Sequence, residues 1–404
     1  MTFDAQFRVL EINSIEGLLP YRFVWRGLFA DTADASFFQT YEWFVCYWKH
    51  FGASQRMRVL VVLHGDTAVG IVPFIIRIES TKAGPIRVLT YPLHDWGSVY
   101  GPIGPQPAAT LLLAFRHLSE TARDWDTLDL RWIDDAGSDH GRTGNAMALA
   151  GLSPVIADWK HSAIVEFDGD WESYWAARKS HWRTNCRRNE RRLATIGDVR
   201  LVRYRPVGSA SGDDDPRWYL FEQCIELARR SWQGDVADGT TMSHEAIVSF
   251  LRDSHAEAVR LGMVDVCVLE VDGQAVAYAY NYQFNGRVFG LRMGHDRDET
   301  YEGAGTVLMW KMLQDSAQRG DQYVDLGQEY LECKRNWLTT IVSSGRATHY
   351  PVLALRGQVL RLKRWWDRRR GGAGVVRRGG SPRSSRRTWR QAGGAVRSEA
   401  SGSR

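Results

Sequence analysis

Two stretches of this 404-residue chain pass through the same elements in the same order. The first runs from RVLVVLHGDTAVGIVPFII (58–76) through a Gly/Pro-rich stretch to the apolar run ATLLLAFRHLSETA (109–122) and then DTLDLRWID (126–134). The second runs from VDVCVLEVDGQAVAYAYNYQFNGRVFGLRMG (264–294) through a Gly-containing loop to GTVLMWKMLQDSAQ (305–318) and QYVDLGQEY (322–330). Periodicity makes each stretch strand, glycine turn, strand, loop, helix, strand. His64-Gly65-Asp66 and Asp272-Gly273-Gln274 stand between alternating apolar runs, which is a hairpin signal. Asp129 and Asp325 then hold the same place in the strand after the helix. A duplicated unit of this kind predicts an α/β protein of two tandem domains.

Length agrees with the repeat, because 404 residues at 44% hydrophobic exceed one ordinary core and suffice for two. The domains are expected at 1–160 and 161–352. Between the repeats, 171–194 reads as an Arg-rich helix that begins the second domain, and 216–231 as another with Pro216 in its first turn. Residues 353–370 space Leu355, Val359, Leu362, Trp365 and Trp366 as a basic amphipathic helix, for which docking onto the body and contact with anionic lipid are both open. The Gly/Ser/Arg-rich stretch 371–404 has too few large apolar residues to fold and is expected to be disordered. Net charge is +12 from Arg361 to Arg404, which leaves −7 on residues 1–360. The body is acidic and the tail basic.

Five scattered cysteines without a C-x-x-C pair indicate reduced, mostly buried thiols and no metal cluster. No stretch approaches the roughly 18–20 apolar residues of a membrane span. The first residues, MTFDAQFRVLEINSIE, lack a basic region followed by an apolar run. A cytoplasmic protein is expected, with peripheral inner-membrane contact as the further possibility for its basic end.

Several segments resemble a known family. They are FFQTYEWFVCYWKHFG (37–52), VLVVLHGDTAVGIVPFII, SHWRTNCRRNERRL (180–193), VDGQAVAYAY (271–280), GRVFGLRMGHD (286–296) running into YEGAG, and LGQEYLECKRNW (326–337). In this order they resemble the GNAT-superfamily acyltransferases of the CelD/BcsL type, also called BioF2-like acetyltransferases, which are related to the Fem peptidyl-transferases. The resemblance covers roughly 30–345. It implies two packed GNAT folds, each a mixed central sheet flanked by helices, and acyl transfer from a thioester, acetyl-CoA or another acyl-CoA, to an amine or hydroxyl, often in polysaccharide or envelope chemistry. Two departures stand out. Thr300 replaces the usual Arg or Gln ahead of the glycines, and the ending offers two carboxylates, Glu329 and Glu332.

In such a fold the donor's pyrophosphate lies on backbone N–H groups at a helix start, where donors lack intrahelical partners. Gly303, Ala304, Gly305 and Thr306 are the expected cradle, with Arg292 on the preceding strand. In the first half, Tyr100-Gly101-Pro102-Ile103-Gly104-Pro105 has prolines that remove donors, so that half is expected not to bind one. Acyl transfer also needs a proton acceptor. Glu329, just past its strand, is the candidate base, His295 a candidate base or acceptor ligand, and Tyr301 a candidate acid for the leaving thiolate. Lys334, Asp325, Arg183 and Arg187 are candidate acceptor contacts, the arginines through phosphate groups. Asp325 equally suits structural hydrogen bonding within its strand.

Two other readings stand beside acyl transfer to a sugar, polysaccharide precursor or small metabolite. One is a Fem-like transferase using aminoacyl-tRNA, and the other a non-catalytic component of a polysaccharide-biosynthesis complex. Nothing resembles a helix-turn-helix, zinc-finger or RRM signature, so nucleic acid enters only through tRNA.

Overall fold

The computed structural model describes residues 6–81, 84–236, 240–328 and 330–371. The chain divides into one compact unit, Met1–Lys363, and a terminal unit from Arg364. The tail beyond Gly371, expected to be disordered, lies outside the described residues.

Among the described residues, alternating apolar runs become twelve strands of one sheet. In chain order they are β1 (Phe7–Ile12), β2 (Arg56–His64), β3 (Thr67–Thr81), β4 (Gly84–Thr90), β5 (Thr127–Ile133), β6 (Pro154–Glu166), β7 (Val199–Tyr204), β8 (Val264–Val271), β9 (Gln274–Phe284), β10 (Arg287–His295), β11 (Tyr323–Gln328) and β12 (Thr340–His349). Their spatial order is β1-β2-β3-β4-β5-β12-β6-β11-β10-β9-β8-β7. Adding six to each strand number of the first half reproduces the second half read from the other edge. The repeat is therefore a pseudo-twofold about the β12–β6 pair, and each half passes its last strand to the other. β4 pairs parallel with β5, and β10 with β11, across the helices Pro107–Glu120 and Ala304–Gln318. The other neighbours are antiparallel.

The turns follow from their residues. Asp272 and Gly273 both take positive φ, as do Asn285 and Gly286, which is the twist a two-residue hairpin needs. Two helix expectations need correction. The Arg-rich stretch forms two helices, Trp171–Ala176 and Ser180–Ala194, because Arg178 at the break donates to the Trp337 and Leu338 carbonyls. The next helix is Trp218–Arg230. Pro216 precedes its cap rather than filling its first turn, because Arg217 adopts φ 44° with its guanidinium over the Tyr204 ring.

One apolar cluster joins Phe37, Phe38 and Trp43 of the first half to Tyr280 and Tyr282 of the second. A second cluster packs Val307, Leu308 and Leu313 of the Ala304–Gln318 helix against Val165, Val288 and Val324, with Trp175 stacked on Trp310. Four of the five cysteines are buried, and burial pushes the Cys46 and Cys186 thiols up to about 12. No helix among the described residues is long and apolar enough to cross a membrane.

Candidate active site

β10 and β11 separate almost as soon as they meet. Their parallel ladder runs only from Arg287–Tyr323 to Phe289–Asp325. Beyond it β10 bulges between Gly290 and Arg292, and β11 loses register with β6 between Asp325 and Gln328. Gly290 sits at the fork, where a Cβ would lie 2.6 Å from the Asp325 carbonyl oxygen. Diverging strands leave edge amides and carbonyls without ladder partners, which suits an extended amide-bearing ligand.

The helix Ala304–Gln318 starts beside this fork without a side-chain cap or an acidic residue in its first turn. Gly303 takes φ 88° there. The side chains admitted by the two glycines belong to this chain, since a Cβ on Gly303 would meet Asn189 and one on Gly305 would meet His295. Ala304 is buried, whereas Gly305 and Thr306 are partly exposed. Arg192, from the Arg-rich helix, donates to the Glu299 carbonyl at 2.7 Å and pairs with Glu302. An uncapped helix start with a guanidinium beside it fits a phosphate-bearing donor. The first half differs. Ile71 and Ile103 exchange backbone hydrogen bonds at 2.8 Å, and the Gly104 N–H donates to Thr32 Oγ1 at 2.8 Å. Amides in the loop ahead of its helix are thus engaged, although that helix, which opens on Pro107, likewise starts without a side-chain cap or an acidic residue in its first turn.

The two repeat aspartates face the same side of the sheet in very different settings. Asp129 is fully buried and accepts from Arg131 Nη2 at 2.8 Å, Arg346 Nε at 2.6 Å and Thr348 Oγ1 at 3.1 Å. Asp325 pairs in register with Ile164 as Asp129 does with Thr348. By that register, Gly327 stands where the first half has Arg131, and Ser162 where it has Arg346. Both arginines are missing. Asp325 is left with the Gly327 N–H at 2.7 Å and the Ser162 hydroxyl, so burial wins over these donors and over Lys334 and Arg287, raising its carboxyl to about 6.

Alternation puts Val324, in the cluster under the Ala304–Gln318 helix, on one face and Asp325 on the other. On that second face Ser162, Lys160 and Ser344 of the central strands are only partly buried. A polar strip thus meets the fork at Asp325, opposite the uncapped helix.

The other expected residues scatter. Glu329 lies outside the described residues. Glu332 is exposed and pairs with Arg335 at 3.0 Å. Lys334 Nζ donates to the Gly327 and Gln328 carbonyls at 2.8 and 3.0 Å, clamping the end of β11, and burial lowers its pKa. Tyr301 donates its hydroxyl to Gln274 at 3.0 Å, and exposed His295 turns Nδ1 to the Asp296 carbonyl at 3.0 Å. Arg292 lies over the Trp96 ring at 4.2 Å and donates to the Asp95 carbonyl, which ties β10 to the first half. Arg183 buries an Nε without a hydrogen-bond partner, and Arg187 is exposed. Sequence reasoning passed over Asn189, Ser162 and Gly327. The last was visible, since VDLG aligns with LDLR.

Residues 180–335 match the family described as an acetyltransferase (GNAT) domain. Among solved structures the chain is similar to FemX, at TM-score 0.56 and 8% identity over 88% of this chain and 99% of that one. It is also similar to L-PGS from Bacillus licheniformis, at TM-score 0.50 and 13% identity over 80% of this chain and 96% of that one. No curated protein matches by sequence. The chain thus has the fold of a GNAT-domain acetyltransferase, in two tandem GNAT-like halves, and the family match over 180–335 supports a transferase.

Proposed function

We propose that the protein moves an acyl group from acyl-CoA to an amine or hydroxyl, with the donor in the β10–β11 fork and Asp325 as proton acceptor. The observation that carries this reading is the fork itself, with an uncapped helix start on one side and, on the other, a buried carboxyl that lacks the arginines of its counterpart. Acyl-CoA supplies an activated thioester carbonyl, whose C–S bond breaks as the acceptor's C–N or C–O bond forms, and the thiolate takes a proton from water and leaves as free CoA. The helix start and Arg192 hold its phosphates, and open strand edges orient its amide-bearing arm. Asp325, poised near 6, takes the proton of an acceptor lying along Ser162, Lys160 and Ser344. Lys334 fixes the strand end behind the carboxyl. The first half, with its loop amides engaged, walls the acceptor side. An acetyl donor and a sugar or polysaccharide-precursor acceptor are the finer assignment, which the CelD/BcsL resemblance supports.

Thermal denaturation tests the donor. Acetyl-CoA at 100 times its Kd should add about 2.7 kcal/mol of stability. Stabilisation by tRNA and not by any acyl-CoA would replace this reading with the aminoacyl-tRNA one.

A further inference from the structure

The helix Leu355–Gly371 presents two contrasting arcs. Leu360 is buried with Ile86, Val88 and Tyr350, and a Cβ on Gly357 would lie 2.4 Å from the Asp126 carbonyl oxygen. That arc holds the start of the helix on the body. The opposite arc carries Leu355, Val359 and Leu362 at i, i+4 and i+7, which is one stripe. Leu355 is 81% exposed and Leu362 65%, while Val352 and Leu353, in the turn just before, reach 83% and 84%. Five large aliphatic side chains in eleven residues thus face outward. Lys363, one position after Leu362, borders the stripe, while Arg356 donates Nη1 to the Pro85 carbonyl at 3.2 Å and helps hold the helix on the body.

We propose that this arc is the surface by which the protein sits on an anionic lipid bilayer. Aliphatic side chains would enter the headgroup boundary while Lys363 meets lipid phosphate. Charge distribution favours this occupant over an acidic or apolar protein groove. Net charge is +12 from Arg361 onward against −7 before it, so the chain's positive end is drawn to a negative surface while its body is repelled. The two sequence expectations for 353–370 are then compatible, because one arc docks on the body and the other meets lipid.

Co-sedimentation of the full chain with vesicles tests this, comparing phosphatidylcholine alone with mixtures that are about one-third phosphatidylglycerol. Binding should appear on the anionic vesicles and weaken with salt. The variant Leu355→Gln/Val359→Gln/Leu362→Gln keeps every charge and alters only exposed positions. It should lose about tenfold or more in partitioning, given the apolar area withdrawn from the interface. A second variant, Lys363→Gln, should reduce the preference for anionic over neutral vesicles. Three results would overturn the proposal: no vesicle binding, equal binding to neutral vesicles, or undiminished binding by the triple variant, which would assign the affinity to tail charge alone. Unchanged circular dichroism and melting in the triple variant separate loss of the surface from loss of the fold.

Discussion

Asparagine at the two repeat aspartates should move stability in opposite directions. Asp325 is raised on folding from its ordinary 3.8 to about 6. Between those pH values the folded chain holds a proton that the unfolded chain has released, so stability falls as pH rises through this window. The cost is complete above about 6. A shift of that size corresponds to about 3 kcal/mol. Asp325→Asn keeps an oxygen for the Gly327 N–H and removes the charge, so at pH 8 the variant should gain up to about 3 kcal/mol while losing the pH dependence of this window. Asp129→Asn instead leaves Arg346 facing an uncharged partner in a buried setting and Arg131 with Glu79 alone. That should cost about 3–5 kcal/mol. Urea unfolding of both variants between pH 4.5 and pH 8 needs no acceptor and reads both signs. Thiol release from acetyl-CoA with glucosamine as the amine probe adds the catalytic arm. Wild-type rate should climb through the raised pKa, and Asp325→Asn should fall about 10²–10⁴-fold and lose the limb. A destabilised Asp325→Asn, or one with an unchanged rate profile, would refute the reasoning.

Lys334→Met removes a positive charge that holds the Asp325 carboxyl down, so the acid limb of the rate profile should move to higher pH. A limb that stays in place would uncouple the two groups. Gly327→Ala asks an L-residue to hold φ 85° and should cost about 1–2 kcal/mol in urea unfolding. No loss would mean that the strand end relaxes. Asp265→Asn removes the buried carboxylate that Arg203 and Arg205 share within 3.2 Å, leaving Arg203 to Asp315 and Arg205 to Asp321, and should destabilise by about 3 kcal/mol at neutral pH. The folded carboxyl is held well below 3.8, chiefly by Arg203 against its burial, so in the wild type this contribution is present above that value and lost as pH falls beneath it. The gap between the two proteins should therefore narrow in acid.

How far the sequence carries can be seen in the repeat. Local pattern sufficed for the hairpins at Gly65 and Gly273, for the two helices that precede Asp129 and Asp325, and for the equivalence of those strands. Periodicity reports which face of an element is apolar, and each half needs only that to form its own layers. It says nothing about which strand a terminal segment pairs with, so the exchange of β6 and β12 between halves was hidden, and with it the register that sets Ser162 beside Asp325. The glycines at 303 and 305 read as an open approach for phosphate because spacing cannot say what fills the space, and Asn189 and His295 come from other elements. The prolines of the first half had the opposite character, since a missing N–H is a local fact. Asp325 combines both kinds of information. Its place in VDLG was legible, and so was the arginine-to-glycine change against LDLR. That the second arginine, Arg346, had become Ser162 required knowing that the halves trade strands. Duplication therefore supplies the internal control that one sequence otherwise lacks. A carboxyl neutralised by two guanidiniums serves the fold, and the same carboxyl without either, at the mouth of an opened strand pair, should carry a stability cost that Asp325→Asn relieves.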